Sequence, residues 1–294
     1  MKFKNKLLMY LLYSVIILAL GLYGVFHYIN DYNINLTKYN LKEEYKDICE
    51  IDDIDSLNPG DKDICENIYP YEDGFMYSHS FLVVSFFNII VFVILILVLA
   101  FSILNSSILL KNRIYINKII REKYTRVINK MYRDAYVYII PIILMLLIVF
   151  LIEIFNFGFD NTYSIINNTS LWNTFSLRNP LLFIFFYIIN VSLYIAIYIN
   201  VGLISVRKYK NYFSSLITSV ICIIIMQLIV EIFIKKQATI SFINIFRFND
   251  GNGFYSTLIF PLIVWIASSV LTILVYANKE KLVNDYSANE GDDI

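Results

Sequence analysis

The stretch FLVVSFFNIIVFVILILVLAFSIL, residues 81–104, contains no charged side chain in 24 consecutive positions. The hydrocarbon core of a bilayer is about 30 Å thick and needs about 20 apolar residues in helical conformation to cross it. This stretch is long enough to cross a membrane as one helix. The sequence therefore predicts a transmembrane helix here.

Five further stretches have the same character, at residues 7–29, 135–155, 180–206, 213–234 and 257–277. Across the chain 58% of residues are hydrophobic and 16% are charged, whereas about a quarter of the residues in a soluble domain are charged. The pattern predicts an all-α integral membrane protein, one domain over 1–294, with six transmembrane helices. The first stretch follows Lys2, Lys4 and Lys6, but it is longer than the apolar core of a signal peptide, which favours an uncleaved helix.

Basic residues are distributed unequally between alternating loops. Sixteen of the 24 Lys and Arg lie in the N-terminus, in 105–134, in 207–211 and in the C-terminus. The remaining eight lie in 30–80, at Arg178 and between 235 and 247. Cytoplasmic loops carry the excess of Lys and Arg, so we expect both termini in the cytoplasm.

The predicted outer segments are of two kinds. Residues 30–80 contain thirteen acidic residues together with Cys49 and Cys65. A bridge between these cysteines would stabilise the loop by about 3 kcal/mol on the chain-entropy model, and the alternative is two free thiols. The acidic clusters lack the spacing of a calcium loop, which favours a solvated segment. Residues 235–256 are too short and polar to span, and we expect an interfacial or re-entrant segment.

The inner segment 105–134 has an amphipathic pattern. Apolar residues recur at steps of three and four, with basic and polar residues at most other positions: Ile116, Ile120, Tyr124, Val127 and Met131. This predicts a cytoplasmic amphipathic helix between the second and third transmembrane helices. It is either a basic segment touching anionic lipid or a docking element for a cytoplasmic partner.

Two carboxylates, Glu153 and Glu231, lie near the predicted outer ends of their spans. Ionisable residues within a membrane are candidates for a functional role. They could belong to a substrate path, or pair with Arg178, Lys235 or Lys236.

Sequence motifs for enzymes are absent. The chain has no Gly-x-x-x-x-Gly-Lys-Ser/Thr loop, no His-Glu-x-x-His and no basic nucleic-acid-binding domain. We predict no catalytic residue, no bound cofactor or metal and no nucleic-acid partner. Because the middles of the spans lack charge, the sequence favours a large amphipathic substrate over a small ion bound at mid-depth.

Two stretches resemble the permease subunit of type-2 ABC exporters of Gram-positive type. IREKYTRVINKMYRDAYVYIIPIILM (120–145) is similar to that family's cytoplasmic coupling helix and third transmembrane helix. In 175–217, similar to its fourth and fifth helices, Asn179–Pro180, Gly202, Ser205 and Lys208 to Tyr212 match the pattern. The preceding stretch NSSILLKNRIYINK (105–118) lacks the family's frequent acidic residue and glycine.

The resemblance implies a multi-pass protein of the bacterial plasma membrane, in contact with membrane lipid, that exports a peptide, lipid or hydrophobic toxin. Resistance to an antimicrobial peptide is one such role. A separate ATPase subunit would bind ATP and Mg²⁺, and the permease would act as a homodimer or with a sister permease. Docking would fall to Arg121, Lys123, Tyr124 and Arg126. The alternative is a multi-pass sensor or scaffold without transport.

Overall fold

The computed structural model describes residues 3–44, 79–111, 123–157, 180–209, 211–233, 242–243 and 258–277, which form helices and no strand. Seven α-helices follow in chain order: α1 (Phe3–Glu44), α2 (His79–Lys111), α3 (Tyr124–Tyr136), α4 (Ile140–Phe157), α5 (Pro180–Tyr209), α6 (Tyr212–Phe233) and α7 (Phe260–Ala277). A 3-10 turn, Val137–Ile139, joins α3 to α4.

Six segments are long and apolar enough to cross a membrane: Asn5–His27, Phe92–Leu110, Tyr124–Ile152, Ile184–Tyr209, Tyr212–Ile232 and Phe260–Ala277. They correspond to the six stretches predicted above. Within the described residues, the prediction of an all-helical protein with six helices long and apolar enough to span a membrane is confirmed. The side of the membrane on which each end lies stays a prediction.

Two helices are longer than the apolar stretches that predicted them. α1 continues to Glu44, so the first part of the predicted 30–80 outer segment is helical. α2 begins at His79 and continues to Lys111, so residues 105–111 complete α2 before the amphipathic segment. Helix length is not limited by bilayer thickness, and no glycine or proline occurs between Gly24 and Pro59 to end α1 early.

The core of the bundle is built around α5. This helix packs against α2, α6 and α7, while α1 packs against α2 and α4. Large side chains along α5 are fully buried, among them Tyr187, Ile195 and Tyr198. The outward faces of α1, α6 and α7 carry exposed aliphatic side chains, as expected of surfaces that face lipid.

Glycine permits the closest approach of α5 to α2. A Cβ atom at Gly202 would lie 2.6 Å from Cγ2 of Ile103 and 3.4 Å from Cδ2 of Leu99. The first distance is well below van der Waals contact, so the two helices could not sit at this spacing with a larger residue. Gly21 in α1 likewise leaves room for Met145 of α4.

The break between α3 and α4 has a chemical cause in Pro141, the second residue of α4. Proline has no backbone N–H, and its ring collides with the carbonyl four residues earlier, which here belongs to Val137. A 3-10 turn starts at that residue. The turn separates the amphipathic helix from the apolar helix that follows it.

Candidate functional site at the basic helix

α3 has one apolar face and one polar face. Its buried residues face the bundle and are Val127, Ile128, Met131 and Ala135. Its exposed residues are Thr125, Arg126, Asn129, Lys130 and Arg133. The helix packs against α2, so the apolar face holds it to the bundle and the polar face points away from it. The predicted amphipathic helix is therefore present over Tyr124–Tyr136.

Four side chains of the polar face line an open cleft of about 440 Å³: Arg126, Asn129, Lys130 and Arg133. We call this the basic cleft. These residues are three or four positions apart, which places them in one stripe along the helix. Three cations and an amide can bind an anionic group through charge and hydrogen bonds. The lining of the cleft is therefore suited to an anion.

Contacts at both ends of α3 fix its place in the molecule. The Tyr124 hydroxyl donates a hydrogen bond to the backbone carbonyl of Tyr276, near the end of α7. The Lys6 ammonium forms an ion pair with Asp134. The start of α1, the end of α7 and helix α3 therefore share one face of the bundle.

A chain of polar side chains leads from α3 into the apolar interior. The Tyr136 hydroxyl donates to Oδ1 of Asn200 at 2.7 Å. The Asn200 amide nitrogen is 3.0 Å from the hydroxyl oxygens of both Ser268 and Ser269. Asn200 is 1% exposed. We call these four residues the Asn200 cluster; it connects α3, α5 and α7.

A second link joins α7 to α5 close to the Asn200 cluster. The Tyr276 hydroxyl of α7 donates to the carbonyl of Leu203 in α5 at 2.8 Å. The spans therefore contain uncharged polar groups that bond between helices. The absence of charge had indicated that the middles of the spans are apolar, because a count of charged residues does not register uncharged polar side chains.

The four residues predicted to dock an ATPase differ in their placement. Arg121 lies outside the described residues. Lys123 is exposed, immediately before α3, and Arg126 lines the basic cleft. Tyr124 is half-buried and its hydroxyl bonds to α7. Lys123 and Arg126 are thus accessible to a partner, whereas Tyr124 connects α3 to the bundle; their docking role stays a prediction.

The predicted cysteine pair and the two carboxylates are only partly described. Cys49 and Cys65 lie outside the described residues. Of Glu153 the structure describes only its position in α4. Glu231 in α6 is exposed and accepts a hydrogen bond from the Gln227 amide at 2.6 Å. In the parts of the chain that the structure describes, no three His, Cys, Asp or Glu side chains come together as a metal site.

One residue of the predicted 235–256 outer segment is buried in the bundle. The backbone N–H of Phe242 donates to Oε1 of Gln227 at 2.6 Å. Its ring meets Tyr194 edge-on with centroids 5.6 Å apart and also packs against Phe260. Phe242 is 2% exposed. This residue therefore lies between α5, α6 and α7.

Comparison of the chain with protein-family models, with curated proteins and with solved structures gave no match in any of the three. The fold and the basic cleft together define a multi-pass α-helical membrane protein with a cationic helix at one face.

Proposed function

We propose that the chain is the transmembrane permease subunit of an ATP-driven ABC exporter, which moves a peptide, lipid or hydrophobic toxin out of the cell. A separate ATPase, holding ATP and Mg²⁺, would supply the energy, and a second permease copy or a sister permease would complete the transporter. The observation that supports this is the position of α3. It is an exposed basic helix with direct hydrogen bonds to two spanning helices.

These bonds give a physical route for force. In the proposal α3 faces the cytoplasm and the ATPase contacts its polar face. A displacement of α3 would move Tyr124 and Tyr136, which are bonded to α7 and to Asn200 of α5. Because the Asn200 side chain is buried, its amide cannot easily exchange these bonds for water. Movement of α3 would therefore be passed to α5 and α7.

The test uses the tagged full-length chain purified from its native membrane. Lys123 and Arg126 are both changed to Glu, which reverses two exposed charges without altering the buried face of α3. We expect wild-type protein to retain a Mg²⁺-dependent ATPase and the variant to lose it. The matched control is Lys208→Glu, since Lys208 is an exposed cation in the last turn of α5.

Two results would contradict the proposal. If no ATPase accompanies the wild-type chain and none is stimulated by it in lipid, a sensor or scaffold without transport becomes the better description. If the ATPase stays bound to the Lys123 and Arg126 variant, docking does not use these residues. Unchanged melting temperatures of all three proteins exclude misfolding as the cause of a loss.

A further inference from the structure

Beyond the basic cleft, α4 carries a row of exposed aliphatic side chains. On α3 the cations are Arg126, Lys130 and Arg133. On α4, at the same steps of three and four residues, the exposed side chains are Ile140 (47%), Leu144 (49%), Leu147 (40%) and Leu151 (51%). At this spacing three cations on α3 are followed, beyond the 3-10 turn, by four exposed aliphatic side chains on α4. We call these seven positions the strip.

The junction of the two parts lies beside the start of the apolar run of α1. Asp134, next to Arg133, pairs with Lys6. Lys6 directly precedes Leu7 and Leu8, which begin the apolar run of α1 and are exposed. The lower end of the basic cleft is therefore level with the start of the lipid-facing surface, where headgroups lie.

The cations of the cleft have no carboxylate partner among the described residues. The one acidic residue of α3 is Asp134, and it is already paired with Lys6. The net charge of the cleft is consequently positive. An anionic ligand would gain both charge neutralisation and hydrogen bonds from Asn129 and the two guanidinium groups.

We propose that the basic cleft binds the phosphate headgroup of an anionic phospholipid, whose acyl chains lie along Ile140 to Leu151. The cations alone would suit a soluble phosphate or an acidic protein equally well. The aliphatic continuation on α4 distinguishes a lipid, because only a lipid matches both parts of the strip. The proposal does not depend on an ATPase partner.

The experiment measures lipid binding to the detergent-purified full-length chain by native mass spectrometry. The probes are phosphatidylglycerol and phosphatidylcholine with identical acyl chains, and glycerol phosphate without chains. We expect wild-type protein to prefer phosphatidylglycerol and to bind glycerol phosphate far more weakly. In the variant with Lys130→Gln and Arg133→Gln, the affinity for phosphatidylglycerol should fall about thirtyfold. Each Lys or Arg near an anionic membrane surface contributes about 1 kcal/mol, so the loss of two cations, about 2 kcal/mol, corresponds to about thirtyfold in affinity.

The matched control carries Lys123→Gln and Lys208→Gln, which remove two exposed cations outside the cleft. It should retain the wild-type preference. Equal binding of the two lipids by wild-type protein would overturn the proposal, and so would an equal loss in the control. Tight binding of glycerol phosphate would show a free-phosphate site instead. A change of oligomeric state in the cleft variant, with lipid binding unaltered, would show that a second copy of the chain occupies the strip.

Discussion

Asn200 is the residue at which α3, α5 and α7 meet. Its side-chain oxygen accepts from Tyr136 and its nitrogen lies within hydrogen-bond distance of Ser268 and Ser269. Hydrogen bonds between transmembrane helices contribute about 0.6 kcal/mol on average and up to about 1.7 kcal/mol. Because Asn200 makes three such bonds, we expect it to contribute more to the stability of the bundle than a single interhelical hydrogen bond does.

We predict that Asn200→Leu lowers the free energy of unfolding by about 2 kcal/mol, because three hydrogen bonds disappear and the Tyr136 hydroxyl loses its partner. The measurement is unfolding of the detergent-purified chain in increasing dodecyl sulfate. A loss below about 0.5 kcal/mol would mean that the cluster contributes little to stability.

Asn190, also on α5, provides the contrasting case. Its side-chain oxygen is buried and has no hydrogen-bond partner among the described residues. Replacing a buried polar group that lacks a partner by an apolar one is neutral or stabilising. We therefore predict that Asn190→Leu leaves the unfolding midpoint unchanged or raises it. A loss as large as that of Asn200→Leu would show that the position, and not the hydrogen bonds, determines the effect.

At the scale of elements, the contact between α2 and α5 depends on Gly202. The methyl group of an alanine there would meet Cγ2 of Ile103 at 2.6 Å. We predict that Gly202→Ala destabilises the chain by about 1–3 kcal/mol, since the helices must move apart. Thermal unfolding in detergent measures this.

A second substitution identifies the cause of that loss. With Ile103→Ala the collision is removed, so the double variant should be more stable than the sum of the two single losses indicates. Ala267→Val, on the exposed side of α7, serves as the control for added volume and should have little effect. Strict additivity of the two losses would contradict the account of close packing.

Tyr124 tests whether α3 transmits force. We predict that Tyr124→Phe keeps the partner ATPase bound, because the exposed Lys123 and Arg126 are unchanged, but reduces transport per ATP hydrolysed, because the bond to the Tyr276 carbonyl is lost. Simultaneous assays of binding and transport in reconstituted vesicles check this. Loss of the ATPase itself would instead place Tyr124 in the docking surface.

Periodicity and hydropathy predicted the elements well but their contacts poorly. The six spans follow from the length of apolar runs, and α3 follows from the spacing of Val127 and Met131. Hydropathy gives no information on where a polar stretch stays helical, so the extension of α1 to Glu44 was missed. The partners of Asn200 come from two other helices, α3 and α7, far from it in the chain, and no local pattern joins them.

The basic cleft was only partly predictable from the sequence. Arg126, Asn129, Lys130 and Arg133 stand at helical spacing in the sequence, so their common face could have been predicted. The predicted docking residues were Arg121, Lys123, Tyr124 and Arg126, of which Arg126 belongs to the cleft. Periodicity had already placed Tyr124 on the apolar side of α3, but its hydroxyl also made it compatible with a docking surface.

At the scale of the whole molecule, the start of α1 and the end of α7 share a face with α3. We predict that cysteines introduced at Lys6, Arg126 and Asn211 in a chain without native cysteines react with a membrane-impermeant reagent from the cytoplasmic side. A cysteine at Glu44 should react from the opposite side. If cysteines at positions 126 and 44 were labelled from the same side, the arrangement of α1 and α3 in the bundle would be wrong. If positions 6, 126 and 211 were labelled from outside and position 44 from the cytoplasm, the predicted orientation in the membrane would be wrong.

The length of α1 has an electrostatic consequence. Its candidate span ends at His27, and residues 28–44 continue the helix for about 25 Å on the face opposite α3. Salt screens charges over about 8 Å at physiological ionic strength. Glu44 is thus about three screening lengths along the helix from the end of the candidate span, so a cation attracted to its charge would respond to salt in solution and scarcely to the charge of the lipids.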